Sequence, residues 1–177
     1  MTRLLAFDTS TDAMSMALLT PEGVLARDAG GGPRASAQLL PELLALLAEG
    51  QCRLDELDAI AFGCGPGAFT GLRTACSVAQ GLAFGAEKPV VPVDSLMIVA
   101  EDARVQLGDA APASIWVAMD ARMDEIYAGA YRMDGGRWVV ETAPALYAVD
   151  ALHARWRSAR PAAMRDAYAS SNATLAF

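Results

Sequence analysis

The chain has 177 residues, of which 54% are hydrophobic and 20% charged, and its formal net charge is −7. This length and apolar content suffice for a packed core and exclude a disordered chain. The negative charge argues against a protein that grips nucleic acid by itself, because phosphate binding depends on clustered Lys and Arg. A single His argues against a His-rich metal site.

The sequence predicts a cytoplasmic protein with no membrane association. The apolar run at residues 4–7 stops at Asp8, far short of a signal peptide or of the roughly 20 apolar residues of a membrane span. The three cysteines, Cys52, Cys64 and Cys76, form no C-x-x-C pair. Their odd number and spacing argue against structural disulfides and favour a reducing compartment.

The chain opens with a predicted antiparallel β-meander. Strands are predicted at residues 3–8 and 14–19, and a third begins at Val24 after a turn at 21–23. Further on, the predicted elements are a helix at 36–49, a strand at 57–62, a helix from Leu72 to about Gly85, a strand at 89–93 and a helix at 95–107. This order predicts a compact first unit.

The helix predicted at 36–49 has apolar residues at positions i, i+3, i+4 and i+7. Ser36 is its predicted N-cap, and Gly50 is its predicted stop. Pro41 lies about one turn inside, so we expect a distorted first turn.

A gap-free shift of 112 residues aligns the opening meander with a second one, predicted at 115–119, 126–131 and from Trp138. The coinciding pairs are Ala6 with Ala118, Asp8 with Asp120, Asp12 with Asp124, Met14 with Ile126 and Gly23 with Gly135. The shift favours duplication over two unrelated meanders. It predicts a first unit at residues 1–94 and a smaller second unit at 95–177, whose end is truncated or divergent. Two such units resemble the actin/Hsp70/sugar-kinase superfamily, an α/β fold of mixed sheets flanked by helices.

A glycine-rich loop at residues 63–73 joins a predicted strand to a predicted helix. Its glycines allow a tight turn, and the free N–H groups at a helix N-terminus can hold an anion. Thr70 can cap that helix, and Arg73 adds a positive charge. The loop is neither a Walker A motif nor a dinucleotide fingerprint. Anion binding and a rigid strand-to-helix connection are therefore both open.

The candidate nucleotide- or anion-binding residues lie in this loop and at the two strands that end in Asp. They are Asp8, Thr9, Ser10, Gly65, Gly67, Thr70, Gly71, Arg73 and Asp120. In kinases of this superfamily a Thr-Gly usually follows the first Asp, and Thr9-Ser10-Thr11 stands here instead. We therefore favour structural roles for both carboxylates, which would accept backbone N–H bonds. No catalytic residue and no metal ligand is assigned.

Three motifs in order resemble the TsaB (YeaZ) family, small bacterial proteins of the threonylcarbamoyladenosine tRNA-modification pathway. They are Leu5–Thr11, Gly63–Arg73 followed by Ala79–Ala83, and Asp120–Arg122 with Glu125–Tyr127. The resemblance covers about residues 3–150. It implies a non-catalytic subunit that binds a catalytic TsaD-like homologue together with a TsaE-like ATPase. That complex transfers threonylcarbamoyl to the adenosine beside the anticodon of ANN-reading tRNAs.

The same resemblance implies that this chain alone binds no cofactor, and that ATP or ADP and a metal ion are bound by its partners. We expect tRNA to be bound mainly by the TsaD-like partner as well. Residues 151–177 carry four arginines against one aspartate, a net charge of +3, which is typical of a solvated helix face. Two departures stand out: Ala35 replaces a His usual in the family, and residues 160–177 match nothing in it.

The predicted partner surface consists of apolar and small residues on the two helices of the first unit. They are Leu39, Leu40, Leu43, Leu44 and Leu47 on the first helix, and Leu72, Ala75, Cys76, Ala79 and Ala83 on the second. The resemblance implies that this surface packs on the TsaD-like protein, or on a second copy when that partner is absent. The alternative is that it covers the protein's own second unit.

Other functions are also open at this stage. The chain could be an active small-molecule kinase or acyltransferase of the superfamily that uses Asp8. A glycoprotease-like peptidase finds little support, because no Ser/His/Asp order is evident and His153 lies in the poorly matched end.

Overall fold

The computed structural model describes residues 2–159, 166–171 and 173–176. The chain divides into two compact units between Ser95 and Leu96, one residue from the boundary expected from the sequence. Each unit is built on one five-stranded sheet. The mixed α/β composition agrees with the predicted class. Within the described ranges, no helix has both the length and the apolarity needed to cross a bilayer.

The first unit alternates strands and helices after its opening meander. Its elements are β1 (Leu4–Asp8), β2 (Ala13–Thr20), β3 (Gly23–Gly30), α1 (Ala35–Glu49), β4 (Ala59–Gly63), α2 (Phe69–Ala86) and β5 (Val90–Val93). The strand order is β3-β2-β1-β4-β5. The meander is antiparallel, whereas β4 runs parallel to both β1 and β5. The predicted meander and the predicted order of elements are confirmed.

Both helices pack on the same face of this sheet. Alternate residues of β1 and β2, such as Leu5, Phe7 and Met16, are buried there, as the two-residue period of a strand requires. They share one core cluster with the inner sides of α1 and α2. From β3, Arg27 forms ion pairs with Glu42 and Glu49, at 2.9 and 2.5 Å, which tie the strand to α1.

The two helix starts differ from the sequence prediction. The N-cap of α1 is Arg34 without a side-chain hydrogen bond, so the prediction of Ser36 was wrong. A 3₁₀ turn over Gly32–Arg34 leads directly into α1, so the entering backbone is already helical. The N-cap of α2 is Ala68, which places Thr70 inside the helix and makes that predicted cap wrong too.

The helix α1 continues through Pro41 and ends at Glu49, with Gly50 as its C-cap, so the predicted stop at Gly50 is confirmed.

Proline also shapes the outer edge of the sheet. At the edge strand β5, the carbonyls of Pro89 and Val93 face β4. Because backbone groups alternate along a strand, Pro92 occupies an outward position, where a missing N–H hinders pairing with another chain.

The second unit contains a second meander. Its elements are α3 (Ser95–Leu107, whose first residue belongs to the first unit), β6 (Ser114–Arg122), β7 (Glu125–Asp134), β8 (Arg137–Ala148), α4 (Val149–Ala159), β9 (Asp166–Ser171) and β10 (Ala173–Ala176). The strand order is β8-β7-β6-β10-β9. Of the arginine-rich end, Arg155 and Arg157 belong to α4, and Arg160 and Arg165 lie outside the described residues.

The strand registers overturn the gap-free alignment of the two meanders. Phe7 pairs with Met16, whereas Met119, its counterpart at the shift of 112, pairs with Tyr127. The second strand therefore follows a shift of 111. A slip of one residue turns every side chain of a strand to the other face, so Ile126 is not the counterpart of Met14. The duplication itself stays a prediction, supported by the shared meander order.

The helix α3 is held to β8 by Glu101. Its carboxylate accepts a hydrogen bond from Trp138 Nε1 at 2.9 Å and two from Arg104, both at 2.7 Å. The hydrogen bonds from Arg104 lower the pKa of Glu101, and the Trp138 contact adds to the effect. This cluster lies beside the buried residues Leu96, Ala100 and Tyr131.

Candidate functional site

The first candidate site surrounds Asp8, at the end of β1. Its Oδ1 accepts hydrogen bonds from the Ser10 N–H at 2.7 Å and from Ser10 Oγ at 2.5 Å. Its Oδ2 accepts one from Ser95 Oγ at 3.1 Å, and Ser95 Oγ in turn accepts one from the Gly65 N–H at 3.1 Å. Both carboxylate oxygens are thus engaged by donors of the chain itself.

The turn after Asp8 packs tightly against the start of α2. The Ser10 carbonyl accepts the N–H of Ala68 at 2.6 Å, and Thr9 Oγ1 donates to the Gly71 carbonyl at 2.7 Å. A Cβ on Gly71 would lie 1.7 Å from the Thr9 carbonyl oxygen. A Cβ on Gly67 would lie 2.5 Å from Ser10 Cβ. Both glycines are therefore required for close backbone approach.

The structure thus brings together most of the residues predicted to bind a nucleotide or anion. Asp8, Thr9, Ser10, Gly65, Gly67 and Gly71 form one hydrogen-bonded, closely packed group. Thr70 and Arg73 are exposed on α2, where Arg73 lies 3.7 Å from the centre of the Phe69 ring. Within this group the glycines serve contacts between parts of the chain itself. Nucleotide or anion binding stays a prediction.

Asp120 belongs to the second unit, where it lies near the end of β6. Its Oδ1 accepts the N–H of Arg122 at 2.8 Å. Arg122, Met123 and Asp124 all have positive φ angles, between 57° and 65°, in the tight connection to β7. Like Asp8, Asp120 thus accepts a backbone N–H at the end of a strand.

Ser95 is part of the first site and was not predicted. Its side chain is buried, and its N–H also donates to the Gly65 carbonyl at 2.9 Å. A signal was present in the sequence, because a polar residue begins the predicted helix at 95–107. That residue follows a strand parallel to β4, so it lies at the same sheet edge as the loop after β4.

The second candidate site is the partner surface on α1 and α2, and here the structure corrects the prediction. Six of the ten predicted residues are buried in the core of the first unit: Leu39, Leu43, Leu47, Ala75, Ala79 and Ala83. Leu72 and Cys76 are half-buried. The predicted stripe is the side of each helix that packs on the sheet, because helical periodicity marks the face with the most apolar residues.

The outward sides of α1 and α2 carry a different set of apolar residues. On α1, Leu40 and Leu44 are 41% and 49% exposed. They continue with the exposed Ala37 and Ala48 at a spacing of three, four and four residues. On α2, Phe69 and Phe84 are 67% and 90% exposed. They lie on one stripe with Arg73, Cys76 and Gln80. Such spacing is typical of helices that pack nearly parallel to other helices.

No metal centre follows from the described part of the chain, where no group of three or more His, Cys, Asp or Glu side chains is placed to hold an ion. Cys52, Cys64 and Cys76 all carry free thiols.

Comparisons with known proteins identify the chain's relatives. Residues 21–172 match the family model described as "TsaD: tRNA N6-adenosine threonylcarbamoyltransferase". The structure of YeaZ from Pseudomonas aeruginosa is similar with a TM-score of 0.78 and 42% identity, over 84% of this chain and 68% of that one. The chain is 37% identical to the tRNA threonylcarbamoyladenosine biosynthesis protein TsaB of Escherichia coli over 86% of its own length and 65% of the relative's. It is 42% identical to TsaB of Haemophilus influenzae over 70% of its own length and 51% of the relative's.

These similarities, with the two α/β units, define a protein of the actin/Hsp70/sugar-kinase fold class, as predicted. The stretch that matches the family model, residues 21–172, includes the motif at Gly63–Arg73 and the second meander. The chain belongs to the TsaB (YeaZ) family. It spans between about half and two thirds of the length of these two curated relatives.

Proposed function

We propose that this protein acts in the biosynthesis of threonylcarbamoyladenosine in tRNA, as a non-catalytic subunit that binds a TsaD-like protein. The family membership supports the pathway, because TsaB of E. coli and of H. influenzae carry that role in their names. In this proposal a TsaE-like ATPase joins the complex, and the partners bind the nucleotide, the metal ion and most of the tRNA. The reaction is threonylcarbamoyl transfer to the adenosine beside the anticodon of ANN-reading tRNAs.

The observation that carries the binding role is the set of large exposed apolar side chains on the outward sides of α1 and α2. They define one row on each helix: Leu40 and Leu44 on α1, and Phe69 and Phe84, with Arg73 and Gln80 between them, on α2. Large apolar side chains concentrated on one face are typical of protein interfaces. We propose that two helices of the TsaD-like protein, or of a second copy in its absence, pack on these rows.

The engaged state of Asp8 supports the non-catalytic role. A metal ion bound at this carboxylate would have to compete with the donors of Ser10 and Ser95 for its oxygens. We therefore expect the purified chain neither to hydrolyse ATP nor to modify tRNA. Both activities should appear only with the partners present.

The interface is tested with the double variant Leu44→Ala/Phe84→Ala and a TsaD-like protein from the same organism. Truncation of central apolar side chains in an interface costs about 2 kcal/mol or more, so we expect the Kd to rise at least about thirtyfold. The matched control is Val24→Ala, because Val24 is 62% exposed and lies on β3, outside the proposed rows.

Calorimetric titration measures the affinity, and thermal unfolding shows that the variants remain folded. Substitutions at exposed positions change the free energy of unfolding by about 0.5 kcal/mol or less. An affinity unchanged in the double variant, or reduced equally in the Val24 control, would contradict the proposed interface.

A further inference from the structure

We propose that Asp8 is a positioning residue, which fixes the start of α2 and thereby the helix face on which the partner docks. The part that concerns partner docking rests on the proposed function, because it involves the same partner surface. The part that concerns the start of α2 depends only on contacts inside the first unit. It assigns to Asp8 a role different from contact with a phosphate.

The contacts run from Asp8 to α2 in two steps. Asp8 Oδ1 holds both the N–H and the Oγ of Ser10, which sets the conformation of the turn after β1. The carbonyl of Ser10 then accepts the N–H of Ala68, the N-cap residue of α2, at 2.6 Å. No side chain caps this helix, and the turn holds its start through the N–H of the N-cap residue, the donor that a side chain at N3 satisfies in a capping box.

A second branch fixes the loop that leads into α2. Asp8 Oδ2 accepts the Ser95 hydroxyl, which in turn accepts the N–H of Gly65. A Cβ on Gly63 would lie 1.6 Å from Asp8 Oδ2, so the carboxylate fills the space beside the end of β4. One carboxylate therefore holds the loop at Gly65 and, through Ser10, the helix start at Ala68. Hydrogen bonds to a carboxylate are among the stronger ones in proteins.

The start of α2 also belongs to the exposed apolar row. Phe69 follows the N-cap directly, and Arg73 lies against its ring in the next turn. If the turn at Ser10 is released, the N–H of the N-cap residue Ala68 loses its acceptor, and the Phe69 end of the row loses its fixed position. The entropy lost in ordering the Phe69 end of α2 would then weaken the binding of the partner.

The test compares Asp8→Ala, Asp8→Asn and the control Asp28→Ala in the full chain. Asp28 contacts Ser15 on the exposed side of the meander and has no link to α2. Asn keeps one acceptor for Ser10 but presents an N–H to Ser95, so it should retain part of the effect of Asp. Hydrogen exchange followed by NMR measures the amides of Gly65 and Ala68 against that of Phe7, which lies within the paired part of β1.

We expect Asp8→Ala to speed exchange at Gly65 and Ala68 at least about tenfold more than at Phe7, and to weaken binding of the TsaD-like protein about tenfold. Asp8→Asn should give smaller changes in both, and the control should give neither. Equal acceleration at all three amides would show that Asp8 merely stabilises the unit, and it would overturn the proposal. So would local exchange with unchanged affinity. If the unmodified chain does not bind the partner at all, the proposed function fails, and the exchange result still decides whether Asp8 fixes the start of α2.

Discussion

The same substitution at two glycines of α2 should have opposite effects on stability. Gly71 lies in the first turn, where a Cβ would come 1.7 Å from the Thr9 carbonyl oxygen and 2.9 Å from its carbonyl carbon. Gly81 lies in the interior of the helix, and a Cβ there would meet no atom within 4 Å. Gly71→Ala and Gly81→Ala therefore form a matched pair.

The expected magnitudes follow from these distances. At Gly71 the obstacle is backbone, and Thr9 cannot withdraw without losing its hydrogen bond to the Gly71 carbonyl. Overpacking of this kind costs about 3 kcal/mol, the upper end of the usual range. At Gly81 only the helix preference of Ala over Gly remains, which stabilises by about 0.8–1 kcal/mol. For a chain of this size, 1 kcal/mol corresponds to about 2–4 °C in Tm.

Thermal and urea unfolding followed by far-UV circular dichroism measures both variants. All three tryptophans lie in the second unit, so their fluorescence serves as a separate reporter of that unit. We expect Gly81→Ala to raise the Tm by about 2–4 °C and Gly71→Ala to lower it by about 6–12 °C. If Gly71→Ala were as stable as Gly81→Ala, the close packing of the turn on α2 would be refuted.

Two further predictions concern the charged contacts. Arg27→Ala removes both ion pairs between β3 and α1, and because these groups are partly exposed we expect only a small loss of stability in urea unfolding; a loss as large as that of Gly71→Ala would contradict this assignment. The lowered pKa of Glu101 means that the folded state favours the charged carboxylate. This preference stabilises the folded state at pH values above the ordinary pKa of Glu. The stabilisation is lost as the pH falls through the lowered pKa of the folded state. Glu101→Gln should therefore flatten the acid side of the stability curve measured by the tryptophan fluorescence of the second unit, and an unchanged acid limb would show that the contact with Arg104 does not stabilise the unit.

Local patterns in the sequence were sufficient for most of the first unit. The alternation in β1 and β2 and the leucine spacing at residues 36–49 predicted the strands and the helix, because side chains on one face recur with the period of the element itself. The helix starts were not predictable in the same way. At α1 a preceding 3₁₀ turn replaced a capping side chain, and at α2 the acceptor comes from Ser10, which is distant in sequence.

The candidate sites show the same limit. The motif at Gly63–Arg73 predicted a tight, glycine-rich loop between a strand and a helix. Its contacts with the turn after β1 could not be predicted, because they depend on the pairing of β1 with β4. Ser95 lies 87 residues from Asp8, and no local pattern reports such a contact. Most residues predicted for the partner surface lie on the inner sides of α1 and α2, since periodicity identifies a dominant apolar face and gives little weight to exposed side chains such as Phe84.

In the internal repeat, residues that match at a constant sequence shift are not all structurally equivalent. Gly23 begins β3, whereas Gly135 lies in the turn between β7 and β8, so their coincidence has no structural counterpart. Counted between equivalent paired residues, the connection from β6 to β7 contains one residue fewer than the connection from β1 to β2. Only the strand registers reveal such a difference.

The central claim, that this chain works by binding a catalytic relative, is tested most directly by light scattering coupled to size-exclusion chromatography. The chain is run alone, with a TsaD-like protein of the same organism, and with that protein and ATP. If the two proteins bind, we expect a new species in the mixture whose mass is the sum of the two chains, and we expect any self-associated form of this chain to disappear. Two components that elute with unchanged masses at micromolar concentration, with or without ATP, would contradict it.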